Sequence, residues 1–223
     1  MPTAALFSLL VLGMTVLLVA GLRRSGWSWA AVVAVLVAYL ILPAVLACAG
    51  VLDRYTPLPA PALLVVLVLS LITVWGVFSR RGAMVADAVP VAVVILLQAF
   101  RIVVEWQLHR LYVEGTVPVE MTYSGRNWDI VSGLTGLGLG LWLLSGRKAP
   151  HSILLAWNVL GLGLLLNIIT IAVLCTPVPF RQFTSVPNLL PSTFPYVWLP
   201  SFLVQLALAG HLLVFRQLRR SHG

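Results

Sequence analysis

Charge is what this sequence has least of. Asp, Glu, Lys and Arg make up 9% of its 223 residues, against about 25% in an ordinary soluble domain, which excludes a water-soluble globule. Lysine occurs once, as Lys148 in a short polar loop, so no intramembrane lysine is present to carry a retinal Schiff base. Cysteine occurs twice, at Cys48 and Cys175, which excludes a zinc or redox framework of the CxxC type. The two thiols are expected to be buried in apolar surroundings and not bridged. His109 and His211 fall toward opposite ends of different apolar runs, and His151 and His222 toward a basic surface, so haem held by paired histidines is not expected. No HExxH, GxSxG, P-loop or GxGxxG pattern occurs, and no metal or cofactor is expected. No internal period or half-to-half similarity supports a repeat-built transporter.

Apolar residues are abundant instead, at 61%, with a mean hydropathy of +1.04. A span needs about 20 of them in a row, and such runs occur at about 3–22, 29–52, 62–79, 89–112, 130–145, 152–176 and 197–215. The expectation is an all-α bundle of seven transmembrane helices forming one integral membrane domain over 1–223. The run at Thr3–Gly21 lacks a preceding basic region and leads into no soluble domain, so it is read as the first span and not as a signal peptide.

The net charge of +8 invites a nucleic-acid reading, but its placement argues otherwise. Most basic residues flank apolar runs in short loops, as membrane topology signals do, and no nucleic-acid partner is expected. With the N-terminus outside and seven spans, nine cations fall on the cytoplasmic side (Arg23, Arg24, Arg80, Arg81, Arg147, Lys148, Arg216, Arg219, Arg220) and four outside (Arg54, Arg110, Arg126, Arg181). Removing the short fifth span gives five inside against eight outside and inverts the rule. The C-terminus is therefore expected in the cytoplasm, and the membrane to be a cell inner (plasma) membrane.

Polarity concentrates in the second half. The fourth run carries Gln98, Arg101, Glu105 and His109 on one helical face, with Arg101 near the midplane and Glu105 about 6 Å further out. An arginine or aspartate at a helix centre costs roughly +2.5 to +3.5 kcal/mol on insertion scales, so the stripe is either a working site or an ion pair locking helices together. Arg101 before Glu105 is the poorer order for an i,i+4 pair, and each is expected to prefer a partner on another helix. Between the fourth and fifth runs, Asn127 or Asp129 is placed to cap the next helix, while Arg126 is free to meet an anion or to pair with Glu114 or Glu120. Asn158 and Asn167, nine residues apart, face opposite ways; Asn167 is the expected neighbour of Glu105 and Asn158 a helix–helix tie. Gln205 of the last run completes the candidate set. Gly133, Gly136, Gly138 and Gly140 let the fifth helix approach its neighbours closely. The polar segment Val113–Asp129 and the proline-rich segment Thr176–Tyr196 suggest a lid over the same end, or simple connections.

These features point first to transport or binding of a small, anionic solute in an outward-facing polar cavity among the fourth to seventh helices. The rivals are an intramembrane enzyme acting on a lipid or isoprenoid-like substrate, with Glu105 or His109 as general base, and a non-catalytic partner in membrane-complex assembly. The expected partners are the lipid bilayer and a small-molecule or lipid substrate.

Overall fold

The computed structural model describes residues 2–56 and 58–220, among which there is no strand; His222 lies outside the described residues. We label the helices α1 (Thr3–Arg24), α2 (Trp29–Cys48), α3 (Pro61–Phe78), α4 (Arg80–Ala88), α5 (Val91–Val113), α6 (Ile130–Leu144), α7 (His151–Cys175) and α8 (Leu199–Arg220). All but α4 and α6 are long and apolar enough to cross a membrane, which gives six candidate spans. The protein is thus an all-helical membrane protein. In the apolar windows of α5 and α8, 56% and 44% of residues are buried, against 17% in α2. Those two helices form the centre, and α1–α3 present apolar side chains such as Leu12, Val16, Leu71 and Trp75 outward, as a helix facing lipid must.

Two corrections concern the basic end. Arg80–Ala88, read from sequence as a brief loop, is the helix α4, capped by Ser79, whose hydroxyl accepts from the Gly82 amide at 3.3 Å. The last helix runs on past residue 215 to Arg220 because its final turns have protein partners: the Gln217 amide donates to the Ala86 and Val89 carbonyls at 2.9 and 2.7 Å, and Arg220 pairs with Asp87.

Proline explains how α2 and α8 are tied. Pro43 has no amide hydrogen and its ring displaces the carbonyl four residues back. Helix α2 accommodates this with a π turn over Val37–Ile41, and the Tyr39 and Leu40 carbonyls accept from Ser201 Oγ (3.2 Å) and Trp198 Nε1 (2.9 Å) instead. Pro200 sits in a second π turn, Leu199–Leu203, and its carbonyl accepts from Gln205 at 3.1 Å. In an apolar medium a freed carbonyl must find such a donor.

Helix α6 lies flush along α5 through glycine. A Cβ on Gly140 would sit 2.7 Å from Leu96 Cα, and one on Gly133 2.9 Å from the Ile102 nitrogen. Gly136 is nearly as tight against the Ile95 carbonyl, while Gly138 faces open space. Three of the four glycines therefore serve close packing. Cys175 is buried, but Cys48 is exposed at the end of α2; the expectation of two buried thiols fails there because α2 is a peripheral helix.

Candidate functional site

Helix α5 tightens one turn before its arginine. The amides of Gln98, Ala99, Arg101 and Ile102 each bond the carbonyl three residues back, as in a 3₁₀ turn. Arg101, 1% exposed, then points into the contact of α5 with α6, α7 and α8. Its Nε donates to Asp129 Oδ2 at 2.6 Å and its Nη2 to Asp129 Oδ1, a bidentate ion pair. Nη2 also reaches the Gly161 carbonyl at 3.3 Å, and Nη1 meets His211 Nε2 at 2.8 Å.

A guanidinium can only donate, so His211 Nε2 accepts and its Nδ1 carries the proton. That proton goes to Asn158 Oδ1 at 2.9 Å, while Asn158 Nδ2 donates to the His211 carbonyl at 3.0 Å. Gly161 makes the arrangement possible, since a Cβ there would lie 2.3 Å from His211 Cε1. Gly210 does the same for Gln98, whose Nε2 reaches the Ala207 carbonyl at 3.4 Å and whose Oε1 has no partner among the described residues.

Glu105 belongs to a second arrangement one turn along. Its Oε1 accepts from Asn127 Nδ2 at 2.5 Å. Asn127, fully buried, is held by the loop: Nδ2 also donates to the Met121 carbonyl at 3.0 Å, and Oδ1 accepts from the Asp129 amide at 3.1 Å. Asn127 therefore closes the turn that leads into α6 without capping the helix itself, and Asp129, at the cap position, makes no side-chain cap bond because its carboxylate is committed to Arg101. Glu105 Oε2 is buried with no partner among the described residues. Arg101 and Glu105 each take a partner outside their own helix, from the loop–α6 junction.

Glu105, Arg101 and Asp129 line one end of a cavity of about 90 Å³. The rest of its wall is chiefly apolar and comes from α3, α5, α7 and α8, with Leu165, Leu203 and Ala207 deep in the bundle. Met121, Asn188 and Pro191 of the two long loops close it on the side away from the basic loops. Those loops are stitched together, with Ser185 Oγ donating to Glu120 Oε2 at 2.9 Å and Arg126 lying 5.3 Å over the Phe183 ring. Tyr55 ties a third loop to Ser192 at 2.7 Å. Burial pushes its hydroxyl pKa above the usual value, more than the Ser192 bond lowers it, so Tyr55 stays neutral at physiological pH.

The remaining expected site residues lie elsewhere. His109 stacks on Tyr123 with ring centroids 4.6 Å apart, and its Nδ1 is 3.4 Å from Ser124 Oγ. Arg126 is exposed and forms no ion pair among the described residues; Glu114 takes Thr3 and Arg110 as partners instead. Asn167 is exposed and donates to the Arg126 carbonyl at 3.0 Å, so the neighbour of Glu105 is Asn127. Gln205 joins a separate network in which Thr73 donates to it at 3.1 Å and it donates to Ser70 at 3.1 Å, with Tyr39 2.9 Å from Thr73. Three polar residues of the first half, Tyr39, Ser70 and Thr73, therefore meet the second half at Gln205.

Asn158, expected as a helix–helix tie, joins α7 to α8 as such, and His211 is the member that sequence reasoning left out. Ending the last run at 215 put His211 near the basic end; in the full Leu199–Arg220 helix it falls close to the middle. Gln107 was passed over as well: it is 2% exposed, and neither amide atom has a partner among the described residues.

A helical membrane protein with a central buried ion pair and an adjacent apolar cavity is the class that this fold and site define. Residues 57–219 match the family described as Domain of unknown function (DUF8737), and the chain belongs to that family. The matched stretch contains every residue of the Arg101 and Glu105 arrangements. No curated protein and no solved structure matches the chain.

Proposed function

We propose that this protein binds, and carries across the membrane, a small and largely apolar solute whose one polar group hydrogen-bonds to Glu105. The observation that carries the reading is Glu105, whose Oε2 is buried without a partner among the described residues and which lines, with Arg101 and Asp129, one end of a chiefly apolar cavity. Buried polar atoms are nearly always satisfied, and an exception calls for an explanation. A solute that donates a hydrogen bond, such as an apolar amine or alcohol, supplies one. The cavity exceeds what a single water needs. For the anionic solute suggested by the arginines the support is weaker, since Arg101 is already spanned by Asp129, His211 and the Gly161 carbonyl. The apolar lining also favours the rival lipid or isoprenoid substrate, but an enzyme needs a nucleophile or base beside Glu105, and His109 is stacked against Tyr123 instead.

The reading includes a topology: seven spans in a single membrane domain, with α6 as the short fifth span, the N-terminus outside, the C-terminus cytoplasmic, and an inner (plasma) membrane as the site. The cation bias and the packing of α6 along α5 support it. The loops roofing the cavity then form an external lid. Reporter fusions after Arg81, Lys148 and Gly223 are expected to report cytoplasm, and fusions near Pro59, Gly125 and Asn188 the exterior. A cytoplasmic Gly125 would overturn the orientation and the lid together.

Solute binding is tested by thermal unfolding of the detergent-purified chain against a panel of small apolar amines and alcohols, with small carboxylates as the anionic arm. The amines or alcohols are expected to raise the melting temperature, and Ala172→Phe, which fills the cavity wall, to remove the response. Stabilisation by carboxylates alone would restore the anion reading.

A further inference from the structure

A second and larger groove, of about 350 Å³, lies at the basic end between α1, α2, α3 and α8. One wall is the smooth face of Ala34 and Ala38 on α2, and the other is Ile72 and Gly76 on α3; Trp27 and Arg81 stand at its basic end. It ends inside the bundle at the Tyr39–Thr73–Gln205 network. Ile72 and the neighbouring Trp75 are themselves exposed on the outer surface of α3, so in a bilayer the groove is bathed by acyl chains.

Two features at its mouth single out the head group. Arg81 is exposed, rests 5.5 Å over the Trp27 ring, and has no carboxylate within salt-bridge reach among the described residues. Arg23, Arg24 and Arg80 add to the positive surface, while the nearby Asp87 is taken by Arg220. The Trp27 Nε1 is buried and has no acceptor among the described residues, although a buried indole N–H ordinarily finds one. An indole donor and a free guanidinium beside an apolar groove match a phosphate ester joined to acyl chains. Basic pockets between membrane helices recognise such head groups.

We propose that this groove is a binding site for an anionic phospholipid, with its chain between α2 and α3 and its phosphate held by Arg81 and Trp27 Nε1. The site is independent of the Glu105 cavity.

Native mass spectrometry of the full chain, released from micelles containing equal amounts of phosphatidylglycerol and phosphatidylcholine, reads it directly. The protein is expected to retain one phosphatidylglycerol in preference to phosphatidylcholine. Arg81→Gln lowers the preference about fivefold, the usual contribution of one arginine near a membrane surface. Trp27→Phe, which keeps an aromatic ring and removes the donor, lowers it as well. Arg81→Lys keeps most of it, and Arg219→Gln, an exposed cation outside the groove, leaves it unchanged. In pure phosphatidylcholine micelles Arg81→Gln is expected to melt with the unmodified protein, which separates loss of lipid from loss of fold. Should Arg81→Gln fail to fold, Trp27→Phe alone decides the matter. Equal retention of the two lipids overturns the assignment, as does a phosphatidylglycerol preference that survives both Arg81→Gln and Trp27→Phe. So does a lipid-free dimer that Ile72→Trp dissociates, since that places a second copy of the chain in the groove.

Discussion

Asp129→Asn is expected to destabilise the protein by about 3–5 kcal/mol, the usual consequence of removing one partner of a buried ion pair. Arg101 is 1% exposed and its two bonds to Asp129 are its only ion pair among the described residues. An asparagine in the same volume still accepts a hydrogen bond but leaves the guanidinium's charge uncompensated in an apolar bundle. Arg101→Met fails in the opposite sense, stranding the carboxylate at the head of α6 and leaving His211 Nε2 without its donor. Because replacing both members of a buried pair by neutral groups is often near-neutral or better, the double variant Arg101→Met with Asp129→Asn is expected to recover most of the loss. Thermal unfolding in detergent measures all three. An Asp129→Asn variant as stable as the parent would mean that the pair does not hold the helices.

Enlarging the glycines of α6 is expected to cost nearly as much. A valine at Gly140 places its Cβ 2.7 Å from the Cα and Cβ of Leu96, and one at Gly133 meets the Ile102 nitrogen at 2.9 Å. These obstacles include backbone, so the neighbour cannot move aside by changing rotamer and α5 and α6 must separate. Overpacking in a close-packed core typically costs 1–3 kcal/mol, and separation also loosens Asp129, which stands at the head of α6. Gly140→Val is therefore expected to lower the melting temperature at least as far as overpacking alone predicts. Gly138→Ala, with nothing within 4 Å of the added Cβ, is expected to be neutral or slightly stabilising, since alanine favours helix over glycine by roughly 0.5–1 kcal/mol. Equal losses at Gly138 and Gly140 would contradict the packing.

What the sequence made legible was decided by range. Apolar runs of the right length mark the six membrane-length helices, because the bilayer imposes its thickness on the chain. The Gln98–Arg101–Glu105 face was readable because helical spacing is local. Their partners were not. That Arg101 would meet Asp129, twenty-eight positions on, depends on how the 113–129 loop folds back. That fold rests on loop bonds such as the Arg126 amide to the Glu120 carbonyl and on a close approach at Gly125, where a Cβ would meet the Val119 carbonyl. Asn167 and Asn158 show the same limit: their opposite faces were evident, but which face looked inward was fixed by α8, where His211 bonds Asn158. Helix α4 escaped notice because nine residues, two of them arginines, resemble a basic loop until the end of α8 folds over them.

Glu105→Gln separates a ligand site from a structural tie most directly. Asn127 Nδ2 bonds one oxygen of the Glu105 carboxyl and the other has no partner among the described residues. Glutamine can keep the first contact and loses only the second oxygen. The variant is therefore expected to express and unfold close to the parent while losing the melting-temperature rise given by apolar amines or alcohols. The contrary result is a Glu105→Gln protein that is unstable alone and regains stability when Arg101→Met is added, which would make Glu105 a counter-charge of Arg101 and not the polar contact of a solute.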